Sequence, residues 1–479
     1  MEKFQVNQER TRFRLIAIGC PQYYIEPFMA LMQSWINHNG IEWTIKRCKS
    51  LKVDLIRRKA GLCPLTWIRK NRRNDISGVI GGLFRWSDRS EKNFRKVVQV
   101  MMFYTDFIYK TETPQQLSKF ISGVTSQPVL ISPSIRTGIS RLADKFSAKG
   151  EQPDLVDPLL TYLGSSEKKS PQWFSRRSIN QSDSVLSELR LFNTDFGLLP
   201  FYKYRKIFER VLLGFDERIN FLSSLNVHPL FNPEILSGKV AFIQEPGGKL
   251  RSVASPYRIF QLALRPLGKS LYRAARRLPW DCTHDQSAAF VPIQDSLRKG
   301  IKVHSVDLSS ATDLFPLQIQ EDCIRCILNS SFAPYINLWL DLCRGKWRLP
   351  DGNFIRWSKG QPLGMFPSFA AFTISHGMLL RYLLGKEWNG EFYVLGDDVV
   401  ILNDNLAAKY YETLGEIGCP YSPEKTIQSS IVSEFAGKII TSEGIYPQMK
   451  WRELSDDNFL DLCKALGPKS RSLLRMRQK

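Results

Sequence analysis

The stretch YVLGDDVVIL, residues 393–402, sets two adjacent aspartates between two apolar runs. The flanking Tyr, Val, Ile and Leu favour extended backbone, and Gly396 supplies the permissive conformation of a tight turn. The segment therefore reads as a hairpin with buried strands that displays Asp397 and Asp398 at its bend. Two carboxylates forced together repel unless cations bind them, and hard oxygen donors suit Mg2+ or Mn2+. An ordinary acidic turn is the alternative, and the tripeptide alone does not decide between them.

A second acidic strand end lies upstream. In KVHSVDLSSATDLFP, residues 302–316, an alternating apolar run ends at Asp307, and Asp313 follows where helical periodicity begins. If this strand shares a sheet with the 397 hairpin, the carboxylates form a ligand set for two metals, as in-line phosphoryl transfer requires. For Asp313 a helix cap or dipole partner is the competing reading.

Three further segments offer groups for such chemistry. In KGQPLGMFPSFAAFTISHGMLLRYLL, residues 359–384, Gly360 and Gly364 flank a proline-containing turn that leads into an apolar helix; the backbone there can approach a ligand closely, or simply start a helix. In SGKVAFIQEPGGKLRSVASP, residues 237–256, Lys239, Lys249 and Arg251 surround a turn at Pro246, Gly247 and Gly248, and either grip a triphosphate or stay solvated. In CPYSPEKTIQSS, residues 419–430, Lys425 lies in a loop from which an ammonium can protonate a leaving phosphate oxygen.

Composition sets the bounds. The chain has 479 residues, 43% hydrophobic and 12% aromatic, enough for a large enzyme rather than a short binding module. No apolar run is long enough to span a bilayer, and the first residues lack secretory or good transit character. The nine cysteines show no zinc or disulfide frame, which points to reduced thiols. A net charge of +21, from 67 Lys and Arg against 46 Asp and Glu, favours a polyanionic partner. The densest basic patch, residues 45–73, carries eleven Lys or Arg against one acid and is expected to touch nucleic acid; a second basic cluster closes the chain at 469–479. Residues 164–184 read as an exposed, Ser-rich linker. From about 231 onward strand-like runs such as KVAFIQE alternate with helical ones such as RIFQLALRPLGKSLYRAARRL, interrupted by Pro266, a mixed α and β arrangement.

Taken in order, GGKLR, DLSSATD, GQPLGMFPSFAAFTISHG, LGDD, SPEK and SEFAGK resemble motifs F, A, B, C, D and E of viral RNA-dependent RNA polymerases. The wording, including PWDCTHDQS, is similar to the capsidless, phage-related lineage of ourmia-like, narna-like and mito-like viruses, and GQPLGMFPSFAAF leans toward the ourmia-like branch. The resemblance covers roughly residues 239–446. It implies an α+β right-hand fold: a basic N-terminal region with part of the fingers over 1–230, fingers with the triphosphate hairpin over 231–300, a palm built on an antiparallel sheet over 301–445 with a fingers insertion near 315–360, and a small or atypical thumb over 446–479, where SDDNFLDLCKALG reads as a helix.

It also implies roles. Asp307 and Asp397 would be the principal ligands of two Mg2+ ions, with Mn2+ a possible substitute and Asp398 accessory. Asp313 would read the 2′-hydroxyl of the incoming nucleotide. Lys249, Arg251 and Lys239 would hold the triphosphate, and Lys425 would be the general acid. Gly360 and Gly364 would shape the loop beside the nascent pair. The pattern departs from many family members at Leu363, at Ser368, which stands at the usual threonine place, and at Phe372 or His376, where a polar sugar contact would fall. RNA and nucleoside triphosphates are the implied partners, with a host or viral accessory protein possible. The host cytoplasm is the expected compartment and the mitochondrion the alternative. A reverse transcriptase or DNA polymerase shares the metal chemistry but fits Gly396 and Asp313 less well. A nuclease needs no triphosphate grip, and a non-catalytic RNA-binding protein leaves the aspartates unexplained.

Overall fold

The computed structural model describes residues 7–64, 72, 76–148, 150–153, 203, 204, 206–208 and 236–451. The linker at 164–184, the boundary at 230, the helix at 455–467 and the basic tail lie outside the described residues.

The described N-terminal part is helical: α1 (Gln8–Ile18), α2 (Gln22–Lys59), α3 (Gly78–Asp88), α4 (Glu91–Met101), a 3-10 turn (Met102–Asp106), α5 (Pro114–Val124) and α6 (Pro133–Lys145). Local chemistry sets the ends. Asn7 caps α1 by accepting from the Arg10 amide, Gly19 closes it at φ 81°, and Thr113 with Gln116 forms a capping box on α5. Within α2, Gly40 at φ 82° breaks the helix into two arms.

The first four helices and the 3-10 turn build a core that is completed from the far end of the described chain, while α5 and α6 pack into the larger core. Leu15, Phe28, Leu55, Phe84 and Phe103 bury against Ile427, Val432, Ile439 and Trp451 from the far end of the described chain. Trp451 donates its indole N–H to the Gln99 carbonyl at 2.8 Å and its amide to Thr105 at 2.6 Å. The described part of the basic patch is largely spent on packing. Lys52 pairs with Glu434 at 3.0 Å, Arg57 donates to the Cys63 and Glu424 carbonyls, Arg58 pairs with Asp88 and Lys59 with Glu91, both at 2.8 Å. Within the patch expected to touch nucleic acid, Lys52, Arg57, Arg58 and Lys59 also dock α2 onto neighbouring protein.

The rest of the described chain mixes strands and helices, as the sequence led us to expect: β1 (Leu236–Glu245), β2 (Lys249–Pro256), α7 (Arg258–Ala263), α8 (Arg265–Arg276), α9 (Phe290–Arg298), β3 (Val303–Asp307), α10 (Ala311–Leu314), α11 (Leu317–Ile327), α12 (Ala333–Arg344), β4 (Lys346–Arg348), β5 (Phe354–Ile355), α13 (Ser368–Leu384), β6 (Phe392–Leu395), β7 (Asp398–Ile401), α14 (Asp404–Glu416), β8 (Ile427–Ser429), β9 (Val432–Phe435), β10 (Lys438–Thr441) and β11 (Ile445–Pro447). The helix break expected at Pro266 falls at Leu264, with Pro266 in the first turn of α8, where its missing N–H leaves no bond unmade.

The central sheet has the order β6-β7-β3-β8 and is antiparallel throughout. Its residues alternate between two cores. Phe392, Val394, Val399 and Ile401 face one built with α8, α11 and α13, while Val303, Tyr393 and Val400 face another with Ile293 and Leu297 of α9. Burial on both faces explains why the strands are apolar at successive positions rather than at alternate ones. A second sheet, β2-β1-β4-β5, joins the 237–256 hairpin to strands from the 315–360 segment, and a third, β11-β10-β9, carries the SEFAGK stretch.

Candidate active site

The carboxylates meet through strand register. Asp307, the last residue of β3, is the cross-strand partner of Asp398, the first residue of β7, and Leu395 pairs with Asp398 across the hairpin. That leaves Gly396 and Asp397 as a two-residue loop, with Gly396 at φ 61° and Asp397 not in the left-handed region, the signs of a type II′ turn. The bend is thus Gly396–Asp397, and Asp398 belongs to the strand. A Cβ on Gly396 would lie 2.7 Å from the Phe369 ring, so the turn also needs glycine for space.

The Lys425 loop is stitched to the same strand end. Ser422 donates to the Asp307 carbonyl, Ser309 donates to the Pro420 carbonyl, both at 2.8 Å, and Leu308 bridges to Tyr421. Lys425 Nζ then reaches Asp307 Oδ2 at 2.9 Å. Beside them lies a pocket of about 80 Å3 whose lining includes Lys52, Asp307, Asp398, Lys425 and Glu434. Asp398 keeps an open face, yet its carboxyl is pushed up to about 7, by desolvation first and then by Asp397, Glu434 and Asp307. Burial alone would raise Glu434 as well, but Lys52, Gln448 and Lys425 hold it below the usual carboxylate range.

Cations face this acidic group from a different direction. The turn between β1 and β2 is clasped by the N-terminal helices: Gly247 donates to the Phe107 carbonyl at 2.8 Å, Gln116 donates to the Gly248 carbonyl at 3.0 Å, and the Tyr104 and Tyr109 rings fill the space a side chain would need at either glycine. Lys49 of α2 lies beside Gly247 and 5.7 Å from the Tyr104 ring centroid. Its ammonium is lowered to about 8, by desolvation and then by repulsion from Lys425, Lys249 and Lys119. Lys249 is exposed at the hairpin, whereas Arg251 is held by Glu245 at 2.9 Å. Lys239 stands opposite Ser255, six residues and ~20 Å along β1 from the turn, so it does not join this cluster.

The 360–368 loop is shaped by protein contacts. A Cβ on Gly360 would lie 2.2 Å from the Thr312 carbonyl oxygen, and one on Gly364, at φ 136°, would lie 2.3 Å from that of Ala254. Gly360 donates to the Asp313 carbonyl at 3.0 Å and Ala254 to that of Leu363 at 2.6 Å, so the loop seals α10 to β2. Ser368 is buried, with its hydroxyl donating to the Pro362 carbonyl at 3.3 Å. Phe372 and His376 point inward as well: His376 is fully buried, its Nδ1 lies 2.8 Å from the Gly396 carbonyl, and burial lowers its imidazole to about 4. Asp313 accepts from the Trp357 indole N–H at 2.9 Å, and burial pushes its carboxyl up to about 6.

The structure thus brings together Asp307, Asp397, Asp398, Lys425 and Lys249, while Asp313, Gly360 and Gly364 form a separate cluster in which the 360–364 loop seals α10 to β2. Sequence reasoning missed Lys49, Lys52 and Glu434. Lys49 and Lys52 lay within the quoted basic patch and Glu434 within SEFAGK, but nothing in either spacing tied them to the aspartates. The donor set is hard oxygen and its like charges repel, which fits Mg2+. Among the described residues no three His, Cys, Asp or Glu side chains converge to enclose an ion by themselves. A bound ion would therefore complete its shell with water or substrate oxygens, as Mg2+ commonly does.

An antiparallel sheet presenting paired carboxylates beneath a cationic hairpin defines the palm and fingers of a right-hand polymerase fold. A solved structure described as the RNA polymerase complex inside a dsRNA virus shares that fold at 10% identity, with a TM-score of 0.52 over 89% of this chain and 43% of that one. The model of the mitovirus RNA-dependent RNA polymerase family matches residues 183–457, and the chain belongs to that family. It is 30% identical over 209 residues to the RNA-directed RNA polymerase of Cryphonectria parasitica mitovirus 1, covering 43% of this chain and 25% of that protein. It is also 29% identical to an uncharacterized mitochondrial protein of Arabidopsis thaliana, over 36% of this chain and 90% of that one. The match is to the mito-like branch of the lineage read from the motifs, and the leaning toward the ourmia-like branch gains no support from it.

Asp313 gives a measurable pH signature. Its folded-state pKa of about 6 exceeds the unfolded value of about 4, so the folded state favours the protonated carboxyl, and stability falls as pH rises through that window. Asp313→Asn should flatten this fall and gain on the order of 2 kcal/mol over wild type above pH 6, read by denaturant unfolding on both sides of the window.

Proposed function

We propose that the chain copies RNA, joining ribonucleotides from nucleoside triphosphates onto an RNA 3′-hydroxyl to replicate a positive-strand viral genome. The single observation that supports this best is the Asp307–Asp398 register beneath the lysines, with Asp397 on the adjoining turn. Mg2+ at Asp307 and Asp397, with Asp398 accessory and Mn2+ a possible substitute, would supply Lewis acidity for attack on the α-phosphate and charge neutralisation for pyrophosphate.

The chain's own groups do the rest. Lys249, with Lys49 behind it, meets the triphosphate as point charges, and Arg251 joins only when it exchanges Glu245 for phosphate. Lys425, 2.9 Å from Asp307, is the group that would give a proton to the leaving pyrophosphate oxygen. Asp313, with one carboxylate oxygen held by Trp357, would read a ribose 2′-hydroxyl with the other. Gly360 and Gly364 let the adjoining loop seat on Thr312 and Ala254.

The plant relatives are named as mitochondrial proteins, which favours the mitochondrion over the host cytoplasm expected from the motif wording. UGA codons at any of the 11 Trp positions of the encoding RNA would fit that compartment; their absence would favour the cytoplasm. The activity itself is tested with purified protein, Mg2+, an RNA template and labelled nucleotides. Wild type should extend RNA in a template-dependent way, and Asp397→Asn should lose at least ~10²-fold of the rate. RNA cleavage without extension, or an equally active Asp397→Asn, would defeat the reading.

A further inference from the structure

A two-residue hairpin loop leaves some backbone groups without partners in the ladder. Here the Gly396 N–H and C=O turn toward α13, and Gly396 is buried against it. The Gly396 amide donates to Thr373 Oγ1 at 3.2 Å, and the Gly396 carbonyl accepts from His376 Nδ1 at 2.8 Å. Thr373 and His376 stand three positions apart, on one face of the helix.

Each of these side chains is oriented by a third group. A carbonyl only accepts, so the His376 proton is on Nδ1, and Nε2 accepts from the Tyr410 hydroxyl at 2.5 Å. Thr373 has one proton, which it donates to Asp281 Oδ2 at 2.9 Å, leaving a lone pair for the Gly396 amide. The other Asp281 oxygen accepts from the Thr283 amide at 2.8 Å, and the adjacent backbone joins β6 through Cys282 N to the Val394 carbonyl at 2.8 Å. Without Asp281 the hydroxyl could swing to the carbonyl one turn back on its own helix, and the Gly396 amide would lose its oriented acceptor.

We propose that Asp281, Thr373, His376 and Tyr410 form a positioning relay that fixes the peptide planes on both sides of Gly396 and so aims Asp397 at its metal ion. None of the four touches substrate; they act through the turn. The relay rests on the proposed metal role of Asp397. It also accounts for PWDCTHDQS, which the chemistry otherwise leaves unused, since its Asp281 sets the polarity of Thr373.

Thr373→Val keeps the shape and removes both bonds, Thr373→Ser keeps the hydroxyl, and Asp281→Asn replaces one acceptor with a donor. RNA extension is titrated with Mg2+, Mn2+ binding is followed by electron paramagnetic resonance, and melting temperature and RNA affinity are recorded alongside. Thr373→Val and Asp281→Asn should raise the half-saturating Mg2+ and weaken Mn2+ binding by roughly 10–100-fold, with RNA affinity unchanged and Thr373→Ser near wild type. Wild-type metal dependence in either folded variant, or a Thr373→Ser as defective as Thr373→Val, overturns the relay. If Thr373→Val does not fold, Asp281→Asn, which preserves volume, decides. Asp397→Asn separates the two readings. If it binds Mn2+ like wild type, the metal role of Asp397 itself fails; if it is defective while the relay variants are normal, only the relay fails.

Discussion

Everything in the candidate site depends on one register. The pairing of β3 with β7 sets Asp307 directly across from Asp398, and a slip of one residue would turn every side chain of either strand to the opposite core. Like charges directly opposite one another destabilise a sheet, so this arrangement works against stability at that position. The Asp398 carboxyl rises to about 7, through desolvation first and then Asp397, Glu434 and Asp307, while Lys425 pairs with Asp307 and Lys52 with Glu434. The surrounding strands can hold such a pair because both of their faces are buried, and the register is fixed by Val306 against Val399 immediately behind it.

The N-terminal helices are the second support. They share a core with Ile427, Val432, Ile439 and Trp451, clasp the turn between β1 and β2, and place Lys52 beside the carboxylates and Lys49 beside the hairpin turn. A helical layer from the start of the chain therefore braces both the cationic hairpin and the sheet that carries SEFAGK.

Local patterns were legible wherever one short stretch carried its own reason. The hairpin at 393–402, the strand ending at Asp307, the turn at 246–248 and the helix after Pro367 all followed from apolar runs punctuated by glycine or proline. What needed three dimensions was partnership. Gly360 and Gly364 were read as room for a ligand, yet their missing Cβ atoms make room for the Thr312 and Ala254 carbonyls. Lys239 looked like a companion of Lys249 by proximity in sequence, but an antiparallel hairpin carries it down the strand and away from the turn. Ser368 and His376, which stand where the resemblance departs from the family's pattern, meet buried backbone carbonyls at Pro362 and Gly396. The basic patch also needed three dimensions: Lys52, Arg58 and Lys59 pair with Glu434, Asp88 and Glu91 of the protein itself, which no local spacing announced.

The central claim is that Asp307 and Asp397 hold ions beneath the lysine cluster. The most direct test is a crystal of the protein soaked with Mn2+ and a non-hydrolysable nucleoside triphosphate, read by anomalous scattering. The account expects Mn2+ at ~2.1 Å from oxygens of Asp307 and Asp397, with phosphate oxygens completing each shell and the Lys425 ammonium displaced from Asp307 toward the phosphates. An anomalous map with no peak at these carboxylates, or with Lys425 still seated on Asp307 and the metal bound elsewhere, would contradict it.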